Sequence, residues 1–453
     1  MTILPLKQLI IIHHISCADM ASTGKAPRRT QRTRHVPYNE GKGKVPHRAH
    51  GAQAGHEEKL KVPRRPDQAG QVLVLGLGMC GQLGLGENIT QRTRPALVPL
   101  AEGIVQVAAG GVHTVCLSAA GSVYTFGCKD EGALGRATPD AAQESRPGKV
   151  VLDEKVVQVS AGNCHTAALT EDGTVYLWGS LRDSNGIMGL LESRKKCNAP
   201  VRVPMKEPVV KVASGDDHLV LLTHGGNLYT AGCAEKGQLG RVKDMFTDRG
   251  GRRGLDLLLI PQQVVIKGKV QFTDAFCGEN STFAVSKDGS VYVFGLSNHH
   301  QLGTTGTRYF PVKAACFGNS NAAWVEFSGG EEHSLCLDSE GKVYSLGSGH
   351  YGRLGLGEEA AQRGEPSHVP GMEPAKAVSC GSRVSFAVTR TGSVYAWGMG
   401  TNLQLGNGER NGEAKDEWSP VKMSGKQLEN CTVLAASGGG QHTVLLVTTE
   451  REG

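Results

Sequence analysis

The chain has 453 residues and a formal net charge of +6, and no apolar run reaches the roughly 20 residues that a membrane-spanning helix needs. Its 62 glycines are roughly twice the usual share, which favours a fold made mostly of tight turns, and helical periodicity of any length is absent. The twelve cysteines include no Cys-x-x-Cys pair, so we interpret them as reduced core thiols of an intracellular protein and expect neither a disulfide framework nor a zinc site.

Residues 1–19 carry a short signal-like apolar stretch that Lys7, His13 and His14 interrupt. A cleaved signal peptide has a continuous apolar core. We therefore favour an optional extension, with Met20 as an alternative start.

The segment from 21 to 66 is strongly basic, with twelve Lys or Arg against three Glu, a net charge of +9. It lacks hydrophobic periodicity, which predicts a disordered tail over residues 1–69 that is attracted to polyanions. Double-stranded DNA, held by salt-sensitive phosphate contacts, is the ligand we favour; a solubilising tail or a nuclear import signal is the alternative. The candidate DNA-binding residues are Lys25, Arg28, Arg29, Arg32, Arg34, Lys42, Lys44, Lys59, Lys61, Arg64 and Arg65.

From residue 70 onward the chain repeats. A β-type run that ends in glycine recurs in steps of 51 to 53 residues, with one step of 63. A Gly-x-x-His motif and a Gly-Gln-Leu-Gly motif, or variants of them, follow the same order. Such a period predicts a closed array of similar units. The glycines that end the runs are Gly76, Gly127, Gly179, Gly232, Gly295, Gly347 and Gly398.

Each repeat contains short apolar and polar alternations, such as residues 156–162 and 175–179, separated by Asp-Gly turns that supply the positive φ of a tight hairpin. About four strands fit in one repeat. The pattern predicts an all-β, seven-bladed β-propeller of four-stranded blades over residues 70–449, followed by a C-terminal tail over 450–453. Because the first and last copies are each half a repeat, we expect the N- and C-terminal strands to pair in one blade and close the ring.

Strand direction decides which loops share a face of the propeller. The Gly-x-x-His loops and the loops before Gly-Gln-Leu-Gly should lie together on one face, which we call the upper face. The Asp-Gly turns and the connections between blades should lie on the opposite, lower face. We therefore predict two separate binding surfaces.

The third repeat departs from the others on the upper face. Its loop spans ten residue steps from Gly179 to Gly189, whereas the other six repeats have eight. The two extra residues predict a protruding hairpin with Asn185-Gly186 at its tip. We call this hairpin the wedge.

The residue pairs inside the Gly-x-x-His loops also vary, and half of the following residues are carboxylates: Asn163-Cys164, Asp216-Asp217, Glu279-Asn280, Glu331-Glu332 and Ser382-Arg383. They indicate a basic partner for the upper face, unless they only bind neighbouring backbone amides. The repeated histidines, one per blade, would lie too far apart to share a metal ion. We interpret them as structural hydrogen-bonding residues.

The 63-residue step holds about eleven extra residues between Gly240 and Gly278, including the basic segment 246–259. Its Arg249, Arg252 and Arg253 can seat guanidinium groups on carboxylates or phosphates. We assign this arginine loop to the lower face, with a solvated surface loop as the alternative.

These repeats resemble the regulator of chromosome condensation family. The resemblance covers about residues 70–449 and rests on the three repeat motifs and on segments such as QVSAG, YGRLGLGE and WGMGTN. It implies a nuclear, chromosome-associated exchange factor that loads the small GTPase Ran with GTP, for nuclear transport, spindle assembly and nuclear envelope formation, without covalent catalysis or a cofactor. It also implies that the upper face holds Ran, the arginine loop binds the acidic patch of the histone octamer, and the tail binds DNA and nuclear import receptors.

Carried over position by position, the resemblance implies exchange contacts at Arg182, Asp183, Ser184, Asn185, Gly186, Ile187, Met188, Glu192, Asp217 and Arg241. Met79, Asn163 and Glu332 stand where the family usually has Asp, Asp and His. These departures keep open a chromatin- and histone-binding propeller with weak or no exchange activity. No metal-ligand cluster, nucleophile elbow or phosphate-loop motif supports an enzyme in the central channel.

Overall fold

A computed structural model describes residues 59–318, 322–408 and 414–449 of the chain. In this part of the protein, seven four-stranded antiparallel sheets and one small three-stranded sheet account for the strands. The seven large sheets are the blades of a β-propeller, which confirms the predicted fold.

The blades are numbered from the first one whose strands are consecutive in the chain, and their strands are given from first to fourth. Blade 1 contains Ile104–Ala109, His113–Ser118, Val123–Gly127 and Gly148–Lys149; blade 2 contains Val156–Ala161, His165–Thr170, Val175–Gly179 and Cys197–Arg202. Blade 3 contains Val209–Ser214, His218–Thr223, Leu228–Gly232 and Gln262–Gln263; blade 4 contains Phe272–Gly278, Ser281–Ser286, Val291–Gly295 and Arg308–Lys313. Blade 5 contains Trp324–Gly329, His333–Asp338, Val343–Ser348 and Gln362–His368; blade 6 contains Ala375–Cys380, Val384–Thr389, Val394–Gly398 and Glu417–Lys422. Blade 7 contains Cys431–Gly438, His442–Thr449, Gln71–Leu77 and Gln91–Leu97.

The remaining elements are short and lie in the connections. The three-stranded sheet consists of Leu181–Asp183, Gly186–Leu190 and Glu192–Ser193. The α-helices are Ala141–Glu144 and Asp256–Leu259, and the 3₁₀ helices are Asp244–Phe246, Gly251–Arg253, Ala315–Phe317, His350–Gly352 and Lys426–Leu428. None of the helices in the described residues has the length and apolar content needed to cross a bilayer.

Blade 7 is assembled from both ends of the propeller, as the two half-repeats predict. Its third strand pairs antiparallel with its second, from Gln71 opposite Val447 to Gly76 opposite His442. Closing the ring in this way leaves no blade with an unpaired inner edge, which is how propellers avoid edge-to-edge aggregation.

The hydrophobic core lies between the blades rather than inside any one of them. Seven apolar clusters form, and each joins two neighbouring blades; for example, Val115 of blade 1 packs in one cluster with Trp178 of blade 2. The second strands face such a cluster on both sides, so all six residues of His165–Thr170 are buried. One blade therefore cannot bury its own faces, and stability depends on the whole ring.

Histidine–hydroxyl hydrogen bonds link successive blades beneath the upper face. His113 Nε2 lies 2.9 Å from Thr166 Oγ1, and His442 Nε2 lies 2.8 Å from Thr114 Oγ1, which joins blade 7 to blade 1. Because the Thr114 hydroxyl donates to the Gln82 carbonyl at 2.9 Å, His442 must donate through its Nε2–H. Burial lowers the pKa of His442 to about 3, so the ring is neutral and can accept no second role as a cation.

His218 and His333 make the same contact with Thr282 and Ser385, at 3.1 and 2.8 Å. The structural interpretation of the repeat histidines is confirmed for these four. His165 differs, because Leu219 stands where the neighbouring blade would supply a hydroxyl, and neither ring nitrogen has a partner among the described residues. No group of three or more His, Cys, Asp or Glu in the described ranges could hold a metal ion.

Residues 59–69 correct part of the tail prediction, because they lie against the lower face. The Leu60 N–H donates to the His224 carbonyl at 2.8 Å, and Arg65 forms an ion pair with Glu171 at 2.8 Å. Leu60 and Val62 pack against the core, which gives this stretch apolar anchors that the charge-based prediction overlooked. Lys59, Lys61 and Arg64 are exposed here. The following candidate DNA-binding residues lie outside the described residues: Lys25, Arg28, Arg29, Arg32, Arg34, Lys42 and Lys44.

Candidate partner-binding face

The wedge and the arginine loop emerge on the same face of the propeller. Each lies in the connection between the third and fourth strands of its blade, blade 2 for the wedge and blade 3 for the arginine loop. Because neighbouring strands are antiparallel, these connections share the upper face. Our assignment of Arg249, Arg252 and Arg253 to the lower face is therefore wrong. The fourth strand that follows the insertion, Gln262–Gln263, is only two residues long and gave no pattern by which to place it.

The wedge is a hairpin with a buried base and an exposed tip. Leu181, Met188 and Leu190 are almost fully buried at the base. Asp183 pairs with Gly186 across the turn, so the tip is Ser184-Asn185, one residue earlier than predicted. Gly186 follows with φ +99°, a conformation that glycine adopts without strain, and the exposed Ile187 adds an apolar side chain beside the tip.

Carboxylates from the two flanking blades hold the wedge from both sides. Glu131 of blade 1 forms an ion pair with the Arg182 guanidinium at 2.6 Å. Asp217 of blade 3 accepts a hydrogen bond from the Arg182 backbone N–H at 2.8 Å. Glu235, also of blade 3, accepts one from the Ser184 N–H at 3.1 Å. The base and tip of the hairpin are therefore fixed independently.

Arg249 of the arginine loop makes the strongest contact with the wedge. Its Nε and Nη2 lie 2.6 and 2.7 Å from the two Asp183 carboxylate oxygens, and its Nη1 donates to the Ile187 carbonyl at 3.2 Å. The Asp183 side chain is only 2% exposed, so this bidentate pair is shielded from water. We call the Arg249–Asp183 pair the latch. Arg249 has a φ of +49°, which is uncommon for a side-chain-bearing residue and shows that the surrounding contacts determine its conformation.

Arg252 and Arg253 differ from Arg249 because both are exposed. The Arg253 guanidinium lies over the Phe246 ring, 5.4 Å from its centroid. The arginine loop thus combines one arginine that supports the wedge with two that remain available to a ligand.

Acidic residues surround the mouth of the central channel next to the wedge. Burial, with the nearby Asp216 carboxylate, raises the pKa of Asp217 to about 7. Burial, with Glu331, raises the pKa of Asp216 to about 6, and burial also raises the pKa of Glu279 well above its usual range. Asp216 and Glu279 line a cavity of about 240 Å³. A cation brought to this mouth would favour the ionised forms of these groups.

The three departures from the family pattern have different surroundings. Met79 is 72% exposed. The Asn163 backbone N–H donates to the Asp216 carbonyl at 2.8 Å, as part of the turn-to-turn contacts around the channel. Glu332 lies 3.1 Å from Arg353 Nη1 and 3.3 Å from His299 Nε2, while Glu331 pairs with Arg383 at 2.8 Å. The two adjacent carboxylates therefore have separate cationic partners.

Arg241 is occupied by the protein's own backbone. Its guanidinium donates to the carbonyls of Thr230 and Leu257, at 2.9 and 2.8 Å, and burial lowers its pKa to about 10. Arg136 binds the Thr125 carbonyl at 3.0 Å in the same way in blade 1. Since both arginines directly follow the Gly-x-Leu-Gly motif, their recurrence was a sequence signal for a structural role. Glu192, in contrast, is exposed and pairs only with Lys195, at 3.0 Å.

Comparison with known proteins agrees with this architecture. A family model described as the RCC1-like domain matches residues 71–445. The regulator of chromosome condensation of Xenopus laevis is 59% identical over 391 residues, covering 85% of this chain and 91% of the relative. The human regulator is 57% identical over 404 residues, covering 87% and 95%.

A solved structure extends the similarity to the fold. The crystal structure of Prp20p from Saccharomyces cerevisiae, described with its binding properties to Gsp1p and histones, has a TM-score of 0.78 at 27% identity. The match covers 86% of this chain and 94% of the yeast chain. This chain therefore belongs to the RCC1-like family, together with the regulators of chromosome condensation.

Proposed function

We propose that this protein is a chromatin-bound guanine nucleotide exchange factor for the small GTPase Ran. The observation that carries the proposal is the wedge, a hairpin fixed by flanking carboxylates and the latch on the acidic upper face of an RCC1-like propeller. The relatives' names and the histone and Gsp1p binding described for Prp20p support the same proposal.

The proposed mechanism is linkage rather than covalent chemistry. A partner that binds the nucleotide-free GTPase better than the nucleotide-bound form must weaken nucleotide binding by the same factor. Ser184, Asn185 and Ile187 at the exposed tip are the residues that would press against the phosphate-side elements of Ran. A rigid hairpin suits this task, because a flexible one would yield instead of displacing its target.

The other residues divide by position. Arg182, Asp183, Gly186, Met188, Asp217 and Arg241 set the shape or placement of the wedge and its support, whereas Glu192 is exposed beside it. The carboxylates at the channel mouth would attract basic residues of Ran. Their raised pKa values mean that binding a cation there also releases protons near neutral pH.

Chromatin attachment would use two other regions. The exposed Arg252 and Arg253 are proposed to bind the acidic patch of the histone octamer from the upper rim. Lys59, Lys61 and Arg64 on the lower face, with the basic residues that precede them, are proposed to bind DNA phosphates. The same basic segment would be recognised by nuclear import receptors, which places the protein in the nucleus on chromosomes, where it would generate Ran-GTP.

The test is release of labelled GDP from Ran with and without the protein. We expect strong acceleration at catalytic concentrations of the protein. A propeller whose wedge tip is changed by Ser184→Gly and Ile187→Gly should lose the acceleration but keep its thermal stability. No acceleration by the unchanged protein at micromolar concentration would refute the exchange assignment.

Met79 favours a second candidate function, a chromatin-binding propeller with weak exchange. An exposed Met offers no charge at a position where the family usually has Asp. If this position limits activity, Met79→Asp should raise the rate of GDP release, while Met79→Leu serves as the apolar control. Equal rates for the three proteins would show that the departure does not matter.

A further inference from the structure

Two cysteines from neighbouring blades meet on the upper face. Cys80 lies in the connection that follows strand Gln71–Leu77 of blade 7, and Cys128 directly follows strand Val123–Gly127 of blade 1. Their side chains form a thiol–thiol hydrogen bond. Cys80 is exposed, and Cys128 is partly buried behind it.

Cys80 differs from the other cysteines of the described residues, all of which are buried or partly buried. Burial raises the pKa of Cys164 and of Cys380 to about 12, so both remain neutral thiols. The hydrogen bond from Cys128 lowers the pKa of Cys80 to about 7, against the opposing effects of burial and of Asp130 and Glu144. The thiolate is the nucleophilic form of cysteine, so at neutral pH Cys80 combines exposure, ionisation and an adjacent second thiol.

We propose that Cys80 and Cys128 form a reversible disulfide that bridges blades 7 and 1 when the protein meets a peroxide. The Cys80 thiolate attacks one peroxide oxygen and breaks the O–O bond, which yields a sulfenic acid and, after protonation, one water. The Cys128 sulfur then attacks the Cys80 sulfur, forms the S–S bond and releases the second water. The two thiols lose two electrons, and hydrogen peroxide gains them.

The geometry suits this reaction because a low-pKa, accessible thiol beside a resolving thiol is the arrangement that redox-sensitive cysteines share. The sulfurs must close to about 2.05 Å. The exposed Cys80 connection can supply this movement, since its cysteine is at the surface and not within a strand. The bridge would lie beside Met79, which is exposed on the proposed partner-binding face.

The test uses the full-length protein, a small excess of hydrogen peroxide, alkylation of remaining thiols and peptide mass spectrometry. We expect a peptide pair linked through Cys80 and Cys128, the loss of two free thiols and full reversal by dithiothreitol. Before oxidation, alkylation of Cys80 should be half-maximal near pH 7. Since the readout is chemical, it does not depend on the proposed exchange activity.

Matched variants separate the disulfide from general oxidation. Cys128→Ser keeps a hydrogen-bond donor beside Cys80 but cannot form the bridge, so Cys80 should be trapped as a sulfenic acid that dimedone labels. Cys80→Ser should leave Cys128 free after the same treatment. If the unchanged protein gives no Cys80–Cys128 peptide, or if peroxide oxidises buried cysteines equally fast, the proposal is wrong.

Discussion

The latch offers a direct test of how the wedge is held. Arg249→Ala removes two charge-assisted hydrogen bonds to Asp183 and one to the Ile187 carbonyl. It also leaves a carboxylate that is only 2% exposed with no cation beside it. The perturbation therefore acts on the docking of the hairpin and leaves its buried base, Leu181, Met188 and Leu190, in place.

The expected magnitude follows from the geometry. Hydrogen bonds to charged groups contribute about 1.5–3 kcal/mol each, but the Arg249 side chain is 25% exposed, so water will replace part of what is lost. We estimate a loss of about 2 kcal/mol in docking free energy, which corresponds to roughly 30-fold in the docking equilibrium. Glu131, Asp217 and Glu235 remain, so the loss should stay local and the melting temperature should change little.

Hydrogen exchange of the wedge backbone measures this loss most directly. Amides in residues 181–190 should exchange roughly 30-fold faster in Arg249→Ala, because protection reports the free energy of local opening, and GDP release from Ran should slow. Arg249→Lys keeps the charge but loses the bidentate geometry and should fall in between. Lys243→Ala, an exposed position of the same insertion, is the control. Unchanged wedge protection in Arg249→Ala would refute the idea that the latch positions the hairpin.

Three further predictions concern other contacts. Asp217→Ala should slow GDP release because the Arg182 N–H loses its acceptor, whereas Asp217→Asn, which keeps an acceptor oxygen, should retain more activity; equal defects would assign the effect to charge alone. The folded state holds the Asp217 proton up to about pH 7 while an unfolded Asp releases it near pH 3.9, so the free energy of unfolding should fall between pH 4 and 7, and Asp217→Asn should flatten that slope in denaturant titrations. Thr114→Val should lower the free energy of unfolding by about 1–3 kcal/mol because it leaves His442 Nε2–H and the Gln82 carbonyl unpaired, whereas Thr114→Ser should be near neutral; equal stability of all three would contradict the role of this link. Removing residues 1–58 should lower DNA affinity and its salt dependence without changing the melting temperature, but removal through residue 66 should also lower the melting temperature through loss of the Arg65–Glu171 and Leu60–His224 contacts; identical melting curves would argue against those contacts.

The repeat pattern by itself determined the propeller, the number of blades and the way the ring closes. Each of these follows from local requirements that a sequence records, such as alternating strands, Asp-Gly turns and a half-repeat at each end. The wedge was also predictable, because two extra residues in a uniform loop must protrude. A closer reading of the repeats would have identified Arg241 as structural, since Arg136 occupies the equivalent position.

Only the tertiary structure decided which surface the arginine loop shares and which side chains meet. Arg249 and Asp183 are 66 residues apart and belong to different blades, and Cys80 and Cys128 likewise come from neighbouring blades. No local pattern encodes such pairs, because they arise when the ring packs its blades side by side. The fold of this protein is thus written in its repeats, whereas its candidate site depends on the distances that ring closure imposes between them.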